Sequence, residues 1–430
     1  MHDMPLKYLL LTITSPIRTA VRGGVMQAKI SHSKGSTVQK ISLLSMLILP
    51  ALLAACGASD VPEPKSTLAV IGDTPYGTSP TDTTQLSAQP AFIGRINADA
   101  DVSLVVHAGD IHSGKEYCTQ AYDTTVFNQW KAFRTPLIYT PGDNEWADCH
   151  KAGEGGGSYN AVTGAVKYVT DTSGNQVDYK GGDPFENLKL IRSIFFATPG
   201  KTAGGSAMDV TTQAVQFDAA NPADKDFAEN VYTEKSRVLI ATVNMPGGSN
   251  SGTDPWYGAP AMSASQTQEV ATRTGAALRW IDAAFKRATD NGDIAVLIVL
   301  QADMWDADGK AVSHIAQYKQ FIDRIAADTK AFAKPVLLIN GDSHTYRSDN
   351  PLKQGAPCVI ESSTPGQTAA CTADAYANQP NGYDLANFHR VVVHGSTAPV
   401  EWLKLTLDPS ANAANGANAF GPFSWARMLP

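Results

Sequence analysis

Charge is scarce in this 430-residue chain: Asp, Glu, Lys and Arg together make up 17% of it. No run of one sign occurs that would read as a basic arm or an acidic tail. A net charge of −7 and a pI near 5.7 argue against a nucleic-acid polyanion as the main partner. No apolar run is long enough to span a membrane comfortably. Cys-x-x-Cys spacing is missing, which disfavours a structural zinc site. A Gly-x-Ser-x-Gly elbow is missing too, which disfavours a serine hydrolase, and no tandem repeat is present. What remains is a chain with 43% hydrophobic residues, enough for a real core in one large domain or two ordinary ones.

The N-terminus carries an export signature. Ile41 to Leu53 is an apolar run of signal-peptide length, preceded by Lys29, Lys34 and Lys40. Leu53-Ala54-Ala55-Cys56 resembles a bacterial lipobox, whose cysteine becomes the lipidated first residue of the mature protein. Residues 1–56 are therefore expected to be a signal region, with Met26 a candidate true start. Lipid on Cys56 would tether the protein to a membrane as a periplasmic or cell-surface lipoprotein, in the outer membrane of a Gram-negative cell. Cys118, Cys149, Cys358 and Cys371 remain, an even number that suggests two disulfides in an oxidising compartment. Of the three possible pairings, Cys118–Cys149 and Cys358–Cys371 are favoured because each staples one loop.

Residues 57–66 read as a linker, 67–408 as the folded domain, and 409–430 as a C-terminal tail. Within the domain, short Val/Ile/Leu runs have the pattern of strands buried on both faces. They are Leu68–Ile71, Leu104–Val106, Leu137–Tyr139, Val238–Val243, Ile294–Leu300, Val336–Ile339, Arg390–Val393 and Val400–Leu407. Helices are expected at about Gln266–Thr289, stopped by Asn291-Gly292, and at about Ser313–Thr329, with Ile315, Tyr318, Ile322 and Ile325 on one stripe. Strands alternating with helices give an α/β layered fold. Residues 151–230, rich in Gly, Asn, Asp and Ser, read as a long insertion with little regular structure that shapes a substrate site.

Gly-Asp occurs six times, and position separates the pairs. Gly182-Asp183 and Gly292-Asp293 are turn chemistry. Gly72-Asp73, Gly109-Asp110, Gly142-Asp143 and Gly341-Asp342 each end an apolar run, and Asp303 follows a fifth run without the Gly. In open α/β sheets the carboxyl ends of strands share one edge, where ligands bind. Several carboxylates there repel one another unless a divalent cation supplies the missing positive charge.

The order of these segments resembles the calcineurin-like metallophosphoesterases, the family that includes purple acid phosphatases. That family's motifs run D-x-H, G-D, G-N-H-E/D, H and G-H-x-H. The matching segments here are Asp73-Thr74-Pro75, Gly109-Asp110, Gly142-Asp143-Asn144-Glu145, Gln301-Ala302-Asp303 and Gly341-Asp342-Ser343-His344. The resemblance implies a four-layer αββα sandwich of two mixed sheets and metal-dependent hydrolysis of a phosphate mono- or diester. It carries Asp73, Asp110, His344 and either Asp143 or Asn144 over as ligands, with Asn144 and His344 also catalytic.

The departures are as informative. Pro75 and Asp342 stand where the family has histidines, and Gln301 or Asp303 is the nearest substitute for a third. A set made of Asp73, Asp110, Asp143, Asn144, Asp303, Asp342 and His344 is oxygen-rich, which favours Mg, Mn or Ca over zinc or iron, as one ion or two. His112, two residues past Asp110, is a candidate to protonate the leaving group. The rival reading is a surface binding protein on an inactive scaffold of the same family. His107 and His394 read as packed or hydrogen-bonded, Tyr76, Trp146, Trp305 and Tyr346 as core or cleft walls, and Arg347 as an ion-pair partner.

Overall fold

A computed structural model describes residues 63–306, 312–373, 375–378, 382–396 and 401–430. The signal region, the lipobox Cys56 and most of the linker lie outside the described residues.

The strand runs fold as their composition demands. In the first sheet β1 (Ser66–Ile71), β2 (Val102–His107) and β3 (Pro136–Tyr139) are parallel neighbours. In the second, β4 (Val231–Lys235) pairs antiparallel with β5 (Val238–Thr242), and β6 (Ala295–Val299), β7 (Val336–Asn340) and β8 (Phe388–Val392) continue in parallel. Back in the first sheet, β9 (Trp402–Leu407) lies antiparallel to β1, and β10 (Phe423–Met428) lies antiparallel to β9. Short edge strands extend the sheets to seven and nine strands.

The period of two along each strand sorts side chains into separate cores. Leu68 and Val70 of β1, Val106 of β2, Leu297 and Val299 of β6, and Leu337 and Ile339 of β7 meet between the sheets. The alternate residues face outward. Ala69 and Ile71 pack against α1 (Thr84–Ala98), α2 (Gln120–Trp130) and α3 (Pro184–Phe195) through Phe92, Trp130 and Phe195. Val336 and Leu338 pack against α4 (Ala264–Asn291) and α5 (Val312–Phe332) through Trp280, Ile281, Tyr318 and Ile322. Four layers result, in the order αββα. Ser263 caps α4 by accepting the Gln266 N–H at 3.0 Å, and Gly292 ends it at φ 73°.

Two segments hold more structure than their composition suggests. The insertion at 151–230 contains α3, twelve residues long and started by Asp183, whose side chain accepts the Glu186 N–H at 3.1 Å ahead of Pro184. The stretch 409–430 carries β10, whose buried Phe423 and Trp425 alternate with exposed Ser424 and Ala426. Both local disulfides form, Cys118–Cys149 and Cys358–Cys371, and such bonds suit an oxidising compartment. No described helix is long and apolar enough to cross a membrane.

Candidate metal centre

The parallel strands of both sheets deliver their carboxyl ends to one edge. Asp73 follows β1, Asp110 follows β2 and Asp143 follows β3. Gln301 and Asp303 follow β6, and Asp342 and His344 follow β7. Four of these residues hold left-handed backbone: Asp73 at φ 50°, Asp110 at 58°, Asp342 at 75° and His344 at 61°. Each such residue costs on the order of 1 kcal/mol, a strain that concentrates at functional sites.

Two of the glycines preceding the aspartates make room for carboxylates that end other strands. A Cβ on Gly142 would stand 1.9 Å from Asp110 Oδ1, and one on Gly341 would stand 2.5 Å from Asp73 Oδ2. Close approach, more than a sharp turn, explains glycine at these two positions.

Asp73, Asp110 and His344 each offer one ligand atom, and these atoms lie within 4.8 Å of one another. Asp73 is fully buried; its Oδ1 accepts the Asp342 N–H at 3.0 Å, while its Oδ2 is buried with no partner. His344 Nε2 lies 3.5 Å from Asp73 Oδ1. Burial, with His394 nearby, pushes the His344 pKa down to about 4, so the ring is neutral and has a lone pair to donate. Burial, then Asp342 and Glu145, hold the Asp73 pKa well above the usual carboxylate range. Burial, then Asp143, Glu145 and Asp73, do the same to Asp110. Two buried acids, one orphaned oxygen and a neutral imidazole fit a divalent cation, which would reverse that electrostatic logic.

Asp110 is held by neutral donors. Its Oδ2 accepts from Tyr76 Oη at 2.8 Å, Asn144 Nδ2 at 3.1 Å and Gln301 Nε2 at 3.2 Å, and its Oδ1 accepts the Asn144 N–H at 3.2 Å. Asn144 Nδ2 also donates to Tyr76 Oη at 3.0 Å. His107 accepts the Gly109 N–H on Nδ1 at 3.2 Å, so its Nε2 carries the proton and donates to the Thr74 carbonyl at 2.9 Å. That ring locks the two aspartate-bearing turns together.

Asp143 lies beside this group, with Oδ1 accepting from Gln301 Nε2 at 2.9 Å. Burial, then Asp148, raise its pKa to about 7. Asp342 approaches Asp143 across Gly247, where a Cβ would meet Asp342 Oδ1 at 2.7 Å and Asp143 Oδ2 at 2.9 Å. Glu145 accepts from Tyr139 Oη and, at 2.7 Å, from the Gly142 N–H, and so fixes the Asp143 turn.

Asp303 and His112 are not brought to the cluster. Asp303 pairs with the fully buried Arg390 at 2.5 Å and accepts from Ser343 Oγ at 2.8 Å. Arg390 and Arg347 share the single carboxylate of Asp349, so Asp303 supplies the second negative charge that two buried guanidiniums need. The His112 ring is fully buried against Tyr122, with Nδ1 on the Ser113 carbonyl at 3.2 Å, and does not line the cavity above the aspartates. Arg347 turns to Asp349 at 2.7 Å, in a buried pair. Tyr346 is packed with Trp425, while Trp146 and Trp305 lie under Arg273 and Arg390.

The cavity measures about 520 Å³, and Tyr76, Asp110, Asp143, Asn144, Asp342 and His344 line its polar side. Lys115 contributes a positive charge to its wall. A second group, Asp148, His150 and Asp254, also clusters. There the Lys151 ammonium already contacts Asp148 and lies 3.4 Å from Asp254, so the charge is met without an ion.

Of the two groups that the sequence offers after β6, Gln301 is the one whose side chain contacts the aspartates, Asp110 and Asp143. A neighbouring segment was not read from the sequence. Gly248, Ser249, Asn250 and Ser251 form a run of left-handed residues beside Asp143, with φ between 53° and 59°. The Gly-Gly-Ser-Asn composition was its one available signal.

No family model matches the chain, and no curated protein matches it. One solved structure it resembles is a purple acid phosphatase isolated from yellow lupin (Lupinus luteus) seeds. Identity is 12%, the match covers 80% of this chain and 49% of that one, and the TM-score is 0.35. The chain thus spans about half the length of that structure. A likeness this faint carries no argument about activity, which has to rest on the site itself.

Proposed function

We propose that this chain is a metal-dependent hydrolase of phosphate esters on a calcineurin-like metallophosphoesterase scaffold, held outside the cytoplasm by lipid on Cys56. The observation that carries the reading is the convergence of Asp73, Asp110 and His344 within 4.8 Å below an open cavity, with Asp73 Oδ2 buried and unpartnered. The order of the strand-end motifs supports the same scaffold.

A divalent ion bound there supplies Lewis acidity, drawing charge from a phosphoryl oxygen and making water more acidic. The protein's own groups do the rest. Tyr76 and Asn144 hold the Asp110 carboxylate in one orientation, and the Asp342 N–H does so for Asp73. Lys115 on the cavity wall gives a phosphate a counter-charge outside the acidic floor. The volume exceeds that of a phosphate and leaves room for an ester's leaving group.

The test is metal content together with turnover of aryl phosphate mono- and diesters in Mn, Mg and Ca. Absence of both bound metal and turnover overturns the reading. Asp110→Asn abolishes turnover if Asp110 is a ligand. Lipid attachment is tested separately: labelled palmitate should be incorporated into the full chain and not into Cys56→Ser.

A further inference from the structure

We infer that the centre takes a single divalent ion, at Asp73, Asp110 and His344, and that Gln301 fills with a neutral amide the place where a second would sit. This rests on the functional reading above and goes beyond it. By charge alone, Asp73, Asp110, Asp143 and Asp342 would accommodate two divalent ions, yet the two halves of the array differ.

On the Asp73 side a buried carboxylate oxygen has no partner. Between Asp110 and Asp143, the fully buried Gln301 divides its two amide protons, one to Asp110 Oδ2 at 3.2 Å and one to Asp143 Oδ1 at 2.9 Å. Its carbonyl oxygen accepts the Gly247 N–H. That last contact settles which end of the amide faces the carboxylates, since a flipped Gln301 would set an oxygen against both acids and leave an N–H facing an NH₂. Asp110 Oδ2 already receives three donors, from Tyr76, Asn144 and Gln301, and has no lone pair left for an ion on that side. Bridging two carboxylates is what a cation does in an acidic cluster, and here the amide does it without carrying charge.

Native mass spectrometry of the metal-stripped chain titrated with Mn²⁺ measures the count directly, and electron paramagnetic resonance reports whether manganese ions are isolated or exchange-coupled. One ion per chain is expected, with an uncoupled six-line spectrum. Gln301→Glu replaces both donors with a carboxylate, and the repulsion so created should recruit a second, coupled ion; Gln301→His offers the same test with an imidazole. Asp73→Asn should bring the count to zero.

Two ions in the wild type overturn the inference and leave the hydrolase reading standing. No ion in the wild type overturns both. An ion retained by Asp73→Asn, or a single ion in both Gln301 variants when they melt like the wild type, also overturns it.

Discussion

Without a cation, Asp73 should be a liability to the fold, and Asp73→Asn measures this without any substrate. The side chain is fully buried, one oxygen has no partner, and burial with Asp342 and Glu145 disfavours its charge. Asparagine keeps an oxygen for the Asp342 N–H and removes that charge. In EDTA the variant should therefore melt at or above the wild-type temperature. With an ion at 100 times its dissociation constant, the wild type gains about 2.7 kcal/mol. Unfolding entropy is about 2.1 cal/mol/K per residue, so over the roughly 370 residues from Glu63 to Pro430 this gain is worth about 3–4 °C. The variant should gain nothing. Thermal melts of both proteins in EDTA and in excess Mn²⁺ provide the comparison. A variant that melts several degrees lower in EDTA would show that Asp73 supports the fold, and equal metal shifts would place the ion elsewhere.

Three further perturbations probe the frame around the centre. Removing the Cys118–Cys149 bridge, which closes a separation of 31 residues, should cost about 3–4 kcal/mol in denaturant midpoints. It should also weaken metal binding, because it ties the loop after Asp110 to the turn after Asp143. Arg390→Met leaves Asp303 buried without a cation and leaves Asp349 with Arg347 alone, a loss of about 3–5 kcal/mol; adding Asp303→Asn should recover much of it. Burial raises the Asp178 pKa to about 8, against the weaker opposing pull of the Cys118 N–H. The folded state thus keeps a proton that the unfolded chain releases near pH 4. That stability is present in full below about pH 4 and is lost as pH rises toward 8, at no more than about 1.4 kcal/mol per pH unit. Urea midpoints of Asp178→Asn should lack this slope, and parallel slopes in the two proteins would refute the assignment.

The fold was legible wherever one strand served two cores. Val336 to Ile339 is apolar without a break because its alternate side chains face the sandwich interior and the α4–α5 layer, and both are dry. The same physics hid β10 at the sheet's margin. It buries Phe423 and Trp425 on one side while Ser424 and Ala426 face water, so its signal is a short alternation at the end of the chain. Helix α3 was obscured by its Gly- and Asn-rich surroundings, although Asp183-Pro184 followed by Leu188, Ile191 and Phe195 has a cap and a stripe.

The candidate centre was legible as acids at strand ends, and the partner each acid takes was not. Asp303 and Gln301 are two residues apart at the end of β6, and by sequence the carboxylate looks like the better ligand. What redirects it is a cation on another strand: Arg390 pairs in register opposite Leu338 of β7 and is fully buried. A guanidinium in that position needs counter-charge, and Asp303 with Asp349 supplies it at 2.5 and 2.8 Å. With Asp303 so engaged, the amide of Gln301 is the group left to face Asp110 and Asp143. Tyr76 and Asn144 belong to the same class of neutral donors: the motif order brings Asn144 to the site as an expected ligand, and in the fold its amide donates to Asp110 and to Tyr76 Oη. The acids in such a site can be counted from sequence, but the positive charge and the amides that divide them are set by register between strands.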